Sequence, residues 1–162
     1  DANLAYVAGD PNAANNPPRL VGIAYDNNVA GATSTTLYSF DFSDAGIDIF
    51  GTIGNVGGAP DSPNSGKLFT IGTPSTFTTF SGSSGFDISG TTGIAYVQAD
   101  VFVPPVSSQP DRLFTLNLAT GDLTSIGNFG SLTDVLDISI TIPEPTTLAV
   151  LGAVGLLALR RR

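Results

Sequence analysis

Three stretches of this chain open alike: Thr36-Leu37-Tyr38-Ser39-Phe40, Lys67-Leu68-Phe69-Thr70-Ile71 and Arg112-Leu113-Phe114-Thr115-Leu116. Each alternates large apolar with small polar side chains, the period-two pattern of a strand with one face to a core and one to solvent. Tyr38, Phe40 and Phe42 are thereby predicted as one inward row, and Phe114, Leu116 and Leu118 as another. The last strand runs into Ala119-Thr120-Gly121, where glycine supplies the positive φ of a short hairpin, and returns through residues 123–126. Ser43-Asp44-Ala45-Gly46 is predicted to turn in the same way before residues 47–53, and Ile-Gly pairs end the runs at Ile53-Gly54, Ile71-Gly72 and Ile126-Gly127.

A second pattern is Gly85-Phe86-Asp87-Ile88-Ser89 followed by Gly93-Ile94-Ala95-Tyr96-Val97, a hairpin across Gly90-Thr91-Thr92. Part of it recurs as Val21-Gly22-Ile23-Ala24-Tyr25 and part as Leu136-Asp137-Ile138-Ser139. Residues 20–72 then hold four strands, residues 85–127 four more, and Leu136 opens another set. Four short antiparallel strands in roughly 45 to 50 residues is the period of a propeller blade. The predicted fold is all-β, with about two propeller-like blades plus a strand; a β-sandwich of eight or nine strands is the alternative. Propellers need at least about four blades to close. The chain also opens at Asp1 without a charged-then-apolar leader, so residues 1–141 are expected to be the C-terminal part of a larger domain in a longer precursor.

Composition narrows the chemistry. With no Cys, His, Met or Trp, the chain has no disulfides, cysteine nucleophiles, typical zinc sites or histidine acid–base pairs. Thirteen of the fourteen acidic residues are Asp, the only Glu being Glu144, and ahead of residue 142 the basic residues are Arg19, Lys67 and Arg112 alone. So acidic a body is predicted to avoid nucleic acid and anionic membrane surfaces. Plentiful Asp, Asn, Gly, Pro, Ser and Thr with scarce Glu and Lys favour strands and turns over helices.

The tail obeys different rules. Pro143-Glu144-Pro145 is an extended breaker; Thr146-Thr147 and the apolar residues Leu148, Val150, Leu151, Val154, Leu156, Leu157 and Leu159 follow, and Arg160, Arg161 and Arg162 end the chain. The twelve-residue apolar run at 148–159 would rise about 18 Å as a helix against a hydrocarbon core of about 30 Å. Threonines at one end, snorkelling arginines at the other and local bilayer thinning extend it to a marginal span over 146–159. The arginines then lie on the cytoplasmic side and the body faces outward. Residues 142–162 resemble the PEP-CTERM sorting signal of Gram-negative bacteria, in which the three parts occur in this order. That resemblance implies recognition of Pro143, Glu144 and Pro145 by exosortase, a membrane-embedded sorting transpeptidase, removal of the helix from an inner-membrane-anchored precursor, and delivery to the cell surface or an extracellular matrix. A core helix with a basic end would show a polar stripe of period 3.6, and residues 148–159 show none.

Ala5-Tyr6-Val7-Ala8-Gly9-Asp10-Pro11-Asn12, Val21-Gly22-Ile23-Ala24-Tyr25 with Asn27-Asn28, Ser34-Thr35-Thr36-Leu37-Tyr38, Gly85-Phe86-Asp87-Ile88-Ser89-Gly90 and residues 113–121 together resemble the end of the bacterial domain-of-unknown-function family 4394, over about residues 1–140. The resemblance implies a propeller-like secreted body and transfers no site. Residues 103–111, with Pro104-Pro105 and Pro110, depart from a tight blade and are predicted to protrude as a loop.

No chemical motif is complete. Gly66-Lys67 is followed by Leu68 where a phosphate loop needs Ser or Thr, and Gly82-Ser83-Ser84-Gly85 lacks both the spacing of a nucleophile elbow and a histidine. Paired carboxylates, Asp41, Asp44 and Asp48 or Asp87 with Asp100, are the remaining catalytic option, acting as general acid and base on a glycan. Asp10-Pro11-Asn12 with Asn15 and Asn16, or Asp26-Asn27-Asn28, clusters hard oxygens suited to Ca2+, although Asx turns explain them more simply and no cofactor is expected. Three functions follow as expectations. The first is a non-enzymatic surface or matrix protein that binds a polysaccharide or matrix component; the second is an extracellular glycan hydrolase; the third is a permanently membrane-anchored binding protein.

Overall fold

The structure is a computed structural model that describes residues 2–42, 48–74, 84–99, 111–130 and 135–140. Among the described residues nine strands form two sheets: β1 (Ala5–Tyr6), β2 (Leu20–Tyr25), β3 (Leu37–Asp41), β4 (Ile49–Ile53) and β5 (Lys67–Gly72) in the first, β6 (Ser84–Ile88), β7 (Ala95–Ala99), β8 (Arg112–Leu116) and β9 (Leu123–Asn128) in the second. The orders are β1-β5-β4-β3-β2 and β6-β7-β8-β9, and every pair is antiparallel except β1 with β5. Two consecutive four-stranded meanders, β2 to β5 and β6 to β9, are thus present where the alternating sequence predicts them. Among the described residues there are short 3-10 turns but no α-helix, and no helix long and apolar enough to cross a membrane. Residues 146–159, with the rest of the tail, lie outside the described residues, as do the turn at 43–46 and nearly all of the loop at 103–111.

One core joins the two sheets. Tyr38 and Phe40 of β3 and Phe50 of β4 meet Phe86 of β6, with the Phe40 and Phe86 rings edge to face at 5.2 Å between centroids and Phe40 and Phe50 5.1 Å apart. Ile88, Val97, Phe114 and Leu116 complete the second sheet's side, so the predicted row of β8 points inward, with Leu118 half-buried beside it. Such rings prefer tilted and edge-to-face contacts because their faces are negative and their edges positive.

The expected division into one buried and one solvated face fails for β3 and β4, where all ten residues are buried. Leu37, Ile49 and Ile53 point away from the second sheet and pack with Tyr6 and Leu68 in a separate cluster. The N-terminal segment covers that face: β1 adds to the edge at β5, and the Tyr6 hydroxyl donates to Asp41 Oδ2 at 2.7 Å. Two further expectations need correcting. Phe42 lies beyond the end of β3, half-buried, with the Arg19 guanidinium 5.1 Å from its ring centroid. Leu136 does not open a strand; residues 135–140 have irregular backbone that leans on β6.

That contact has a local cause. Gly85 has no side chain, and a Cβ there would stand 2.5 Å from the Ile138 nitrogen and 2.9 Å from the Asp137 Cα. On the other face of β6, Gly22 of β2 approaches Phe86 so closely that a Cβ would sit 3.0 Å from the Phe86 Cβ. β6 is therefore flanked by β2 on one side and by residues 135–140 on the other, three repeat-opening segments side by side.

Candidate functional site

A hollow of about 730 Å³ opens where these three segments meet. Residues 20–23 of β2 line it consecutively, as do residues 136–139, with Ser84, Phe86 and Asp87 from β6 and with Leu4 and Ile53 behind. Neighbouring strand residues point to opposite faces. Four consecutive lining residues therefore mean that the hollow runs along the edge of β2, which no described strand pairs. Leu4, Ile23 and Leu136 are exposed at 38%, 54% and 71%, so the rim is apolar.

Among the described residues its polar side chains are two carboxylates and two hydroxyls, and no basic side chain lines it. Asp87 Oδ1 accepts from the Ile88 amide at 2.8 Å and Oδ2 from the Ile140 amide at 2.6 Å. Asp137 Oδ1 accepts from the Ile138 amide at 2.8 Å, the same contact one repeat later. Asp87 and Asp137 occupy equivalent places in Phe86-Asp87-Ile88-Ser89 and Leu136-Asp137-Ile138-Ser139. That recurrence was the signal that could have nominated Asp137. Ser84 had no such signal, and its Oγ is buried without a hydrogen-bond partner.

The other candidate carboxylates sit elsewhere. Asp41 is 2% exposed and both its oxygens are engaged, Oδ2 by the Tyr6 hydroxyl and Oδ1 by the Arg19 amide at 2.6 Å. Burial first, then the hydrogen bond to Asp41 and its charge, with a smaller contribution from Asp10, push the Tyr6 phenol far above its ordinary range. Tyr38 is also raised, by burial and then by the charge of Asp26. Asp48 is buried, while Asp44 and Asp100 lie outside the described residues. Pro143, Glu144, Pro145, the leucines and valines of 148–159 and Arg160, Arg161 and Arg162 also lie outside them.

In the clusters suggested for Ca2+ the carboxylate oxygens of Asp10 and Asp26 and the side-chain amides of Asn27 and Asn28 bond to the chain itself. Asp10 accepts from the Asn12 amide and from the Thr70 amide and hydroxyl at 2.7 to 2.8 Å. Asp26 caps the Thr36 amide, Asn27 takes φ +46 and donates to the Ser34 carbonyl, and Asn28 donates to the Ile88 carbonyl. These are turn-forming roles of Asp and Asn. Among the described residues no three acidic side chains gather in a metal-holding group.

A family model described as a domain of unknown function, DUF4394, matches residues 1–139. No curated protein and no solved structure matches the chain.

Proposed function

The chain belongs to the DUF4394 family, a domain of unknown function, and from that premise we propose that it is an exported bacterial surface or matrix protein whose propeller-like body binds and whose tail sorts. The observation that carries the sorting half is the order of the last residues: Pro143-Glu144-Pro145, the apolar run 148–159, then Arg160, Arg161 and Arg162. An apolar run closed by fixed positive charge orients in a lipid phase with its arginines on the cytoplasmic side. The stiff motif ahead of it is what an exosortase-type transpeptidase would read.

The propeller half is supported by the placement of β2, β6 and residues 135–140. A two-sheet sandwich has one interface, between its sheets. Here β6 is approached on one face by β2 through Gly22 and on the other by the next segment through Gly85. Opening segments of successive units lying side by side fit radial repetition, in which each unit buries both faces against its neighbours.

A reporter fused ahead of Pro143 should reach the cell surface. Replacing Pro143, Glu144 and Pro145 together by Ala should hold it in the inner membrane, and normal release of that variant would sink the sorting reading. The mass of the mature C-terminus separates a processed tail from a permanent anchor.

A further inference from the structure

We propose that the free edge of β2 docks an extended segment that adds antiparallel, alternates apolar with small residues and carries a basic side chain toward Asp87 and Asp137. The argument begins with the chain's own repeat. Gly22-Ile23-Ala24-Tyr25 reappears as Gly93-Ile94-Ala95-Tyr96. In the second copy, β7 is paired on both edges: Ala95 faces Ile88 of β6 and Leu116 of β8. In the first copy, Ala24 faces Tyr38 of β3, and no described strand takes the other side. Ala95-Tyr96, the half of the repeat that lies in β7, is thus paired on both sides, whereas Ala24-Tyr25 in β2 is paired on one.

The hollow lies along that edge and has what a strand would need. The backbone of β2 offers a ladder, the standard basis of strand addition, with wall pockets selecting alternate side chains. Val21, Ile23 and Leu136 supply apolar walls, and the buried Ser84 Oγ lacks a partner. Asp87 and Asp137 place two carboxylates there with no cation among the described lining residues, so the complementary occupant is basic.

The inference rests on the reading of the body as a binding module, and its failure would leave the sorting of residues 142–162 untouched. The probe is the capped hexapeptide Gly-Phe-Lys-Ile-Ser-Gly, patterned on residues 85–90 with Lys where β6 has Asp, titrated into the full chain in mild detergent. Binding should shift and protect the backbone amides of residues 20–25. Replacing the peptide's Lys by Glu should weaken it several-fold, and N-methylation of alternate peptide amides at least tenfold. Asp137 is exposed and at the rim, so Asp137→Asn should leave folding unchanged and weaken the Lys peptide about threefold, within the range of a solvent-accessible ion pair. Failure of the Lys peptide to bind, equal binding of the N-methylated peptide, or indifference to both charge changes overturns the proposal. Reversible dimerisation that protects residues 20–25 and excludes the peptide also overturns it, in favour of a second copy of this chain on that edge.

Discussion

Buried polar residues fix details that the hydrophobic pattern leaves open, and Tyr6 with Asp41 is the clearest pair. Tyr6→Phe removes the donor to Asp41 Oδ2 and should lower unfolding free energy by about 1–3 kcal/mol, the range for stranding a buried acceptor. Because the Tyr6 phenol is raised in the fold, the folded state holds its proton where the unfolded chain has lost it. Its contribution to stability is complete below about pH 10, the ordinary tyrosine value, and declines as pH rises further. Tyr38 shifts in the same direction, so urea titrations between pH 9 and about 11 should show stability falling, and Tyr6→Phe should make that fall shallower. An unchanged alkaline slope would remove Tyr6 from this role. Gly85→Val places a side chain on the Asp137 and Ile138 backbone. It should cost about 1–3 kcal/mol as an overpacked site and speed hydrogen exchange at residues 136–140.

At the scale of elements, the hairpin joining β8 to β9 depends on Gly121, which takes φ +81 while its amide donates to the Asn117 carbonyl at 2.8 Å. Gly121→Val should destabilise by about 1–3 kcal/mol, the cost of holding an ordinary residue in a sparsely populated backbone region, measurable by denaturant midpoint. This hairpin was legible from residues 119–126 because turn chemistry and period-two alternation are local. The strands β3, β7 and β8 were legible for the same reason. What the sequence hid is pairing at a distance. Period-two counting assigns Leu37, Ser39 and Asp41 to solvent, and nothing near them announces that Tyr6 and Leu68 will cover that face. Likewise Gly22-Ile23-Ala24-Tyr25 and its copy at 93–96 read identically, yet the first lies wholly in an edge strand while only Ala95-Tyr96 of the second enters a central one. Strand position is set by which segments arrive beside it, not by the strand's own four residues. The hollow was hidden likewise, since Ser84 and Asp137 meet only through the crossing of residues 135–140 over Gly85.

Across the whole molecule, the shared aromatic core should make the two meanders unfold as one cooperative unit. Phe40, Phe50 and Phe86 span the interface and are at most 5% exposed. Phe50→Ala should cost about 3–5 kcal/mol, as for other large-to-small aromatic changes in cores. Fluorescence of tyrosines in the first sheet and hydrogen exchange of β7 and β8 in the second should report the same lowered midpoint. Separate transitions would mean that the sheets fold as independent domains. The segment at 135–140 is attached differently from any strand in this body: Val135 and Ile140 donate their amides to the carboxylates of Asp111 and Asp87, two separated points in place of a ladder. Loss of residues 135–140 from the body would break those two contacts and leave the ladders of the meanders intact. The body therefore ends, on its described side, in a segment pinned at two aspartates instead of woven into a sheet.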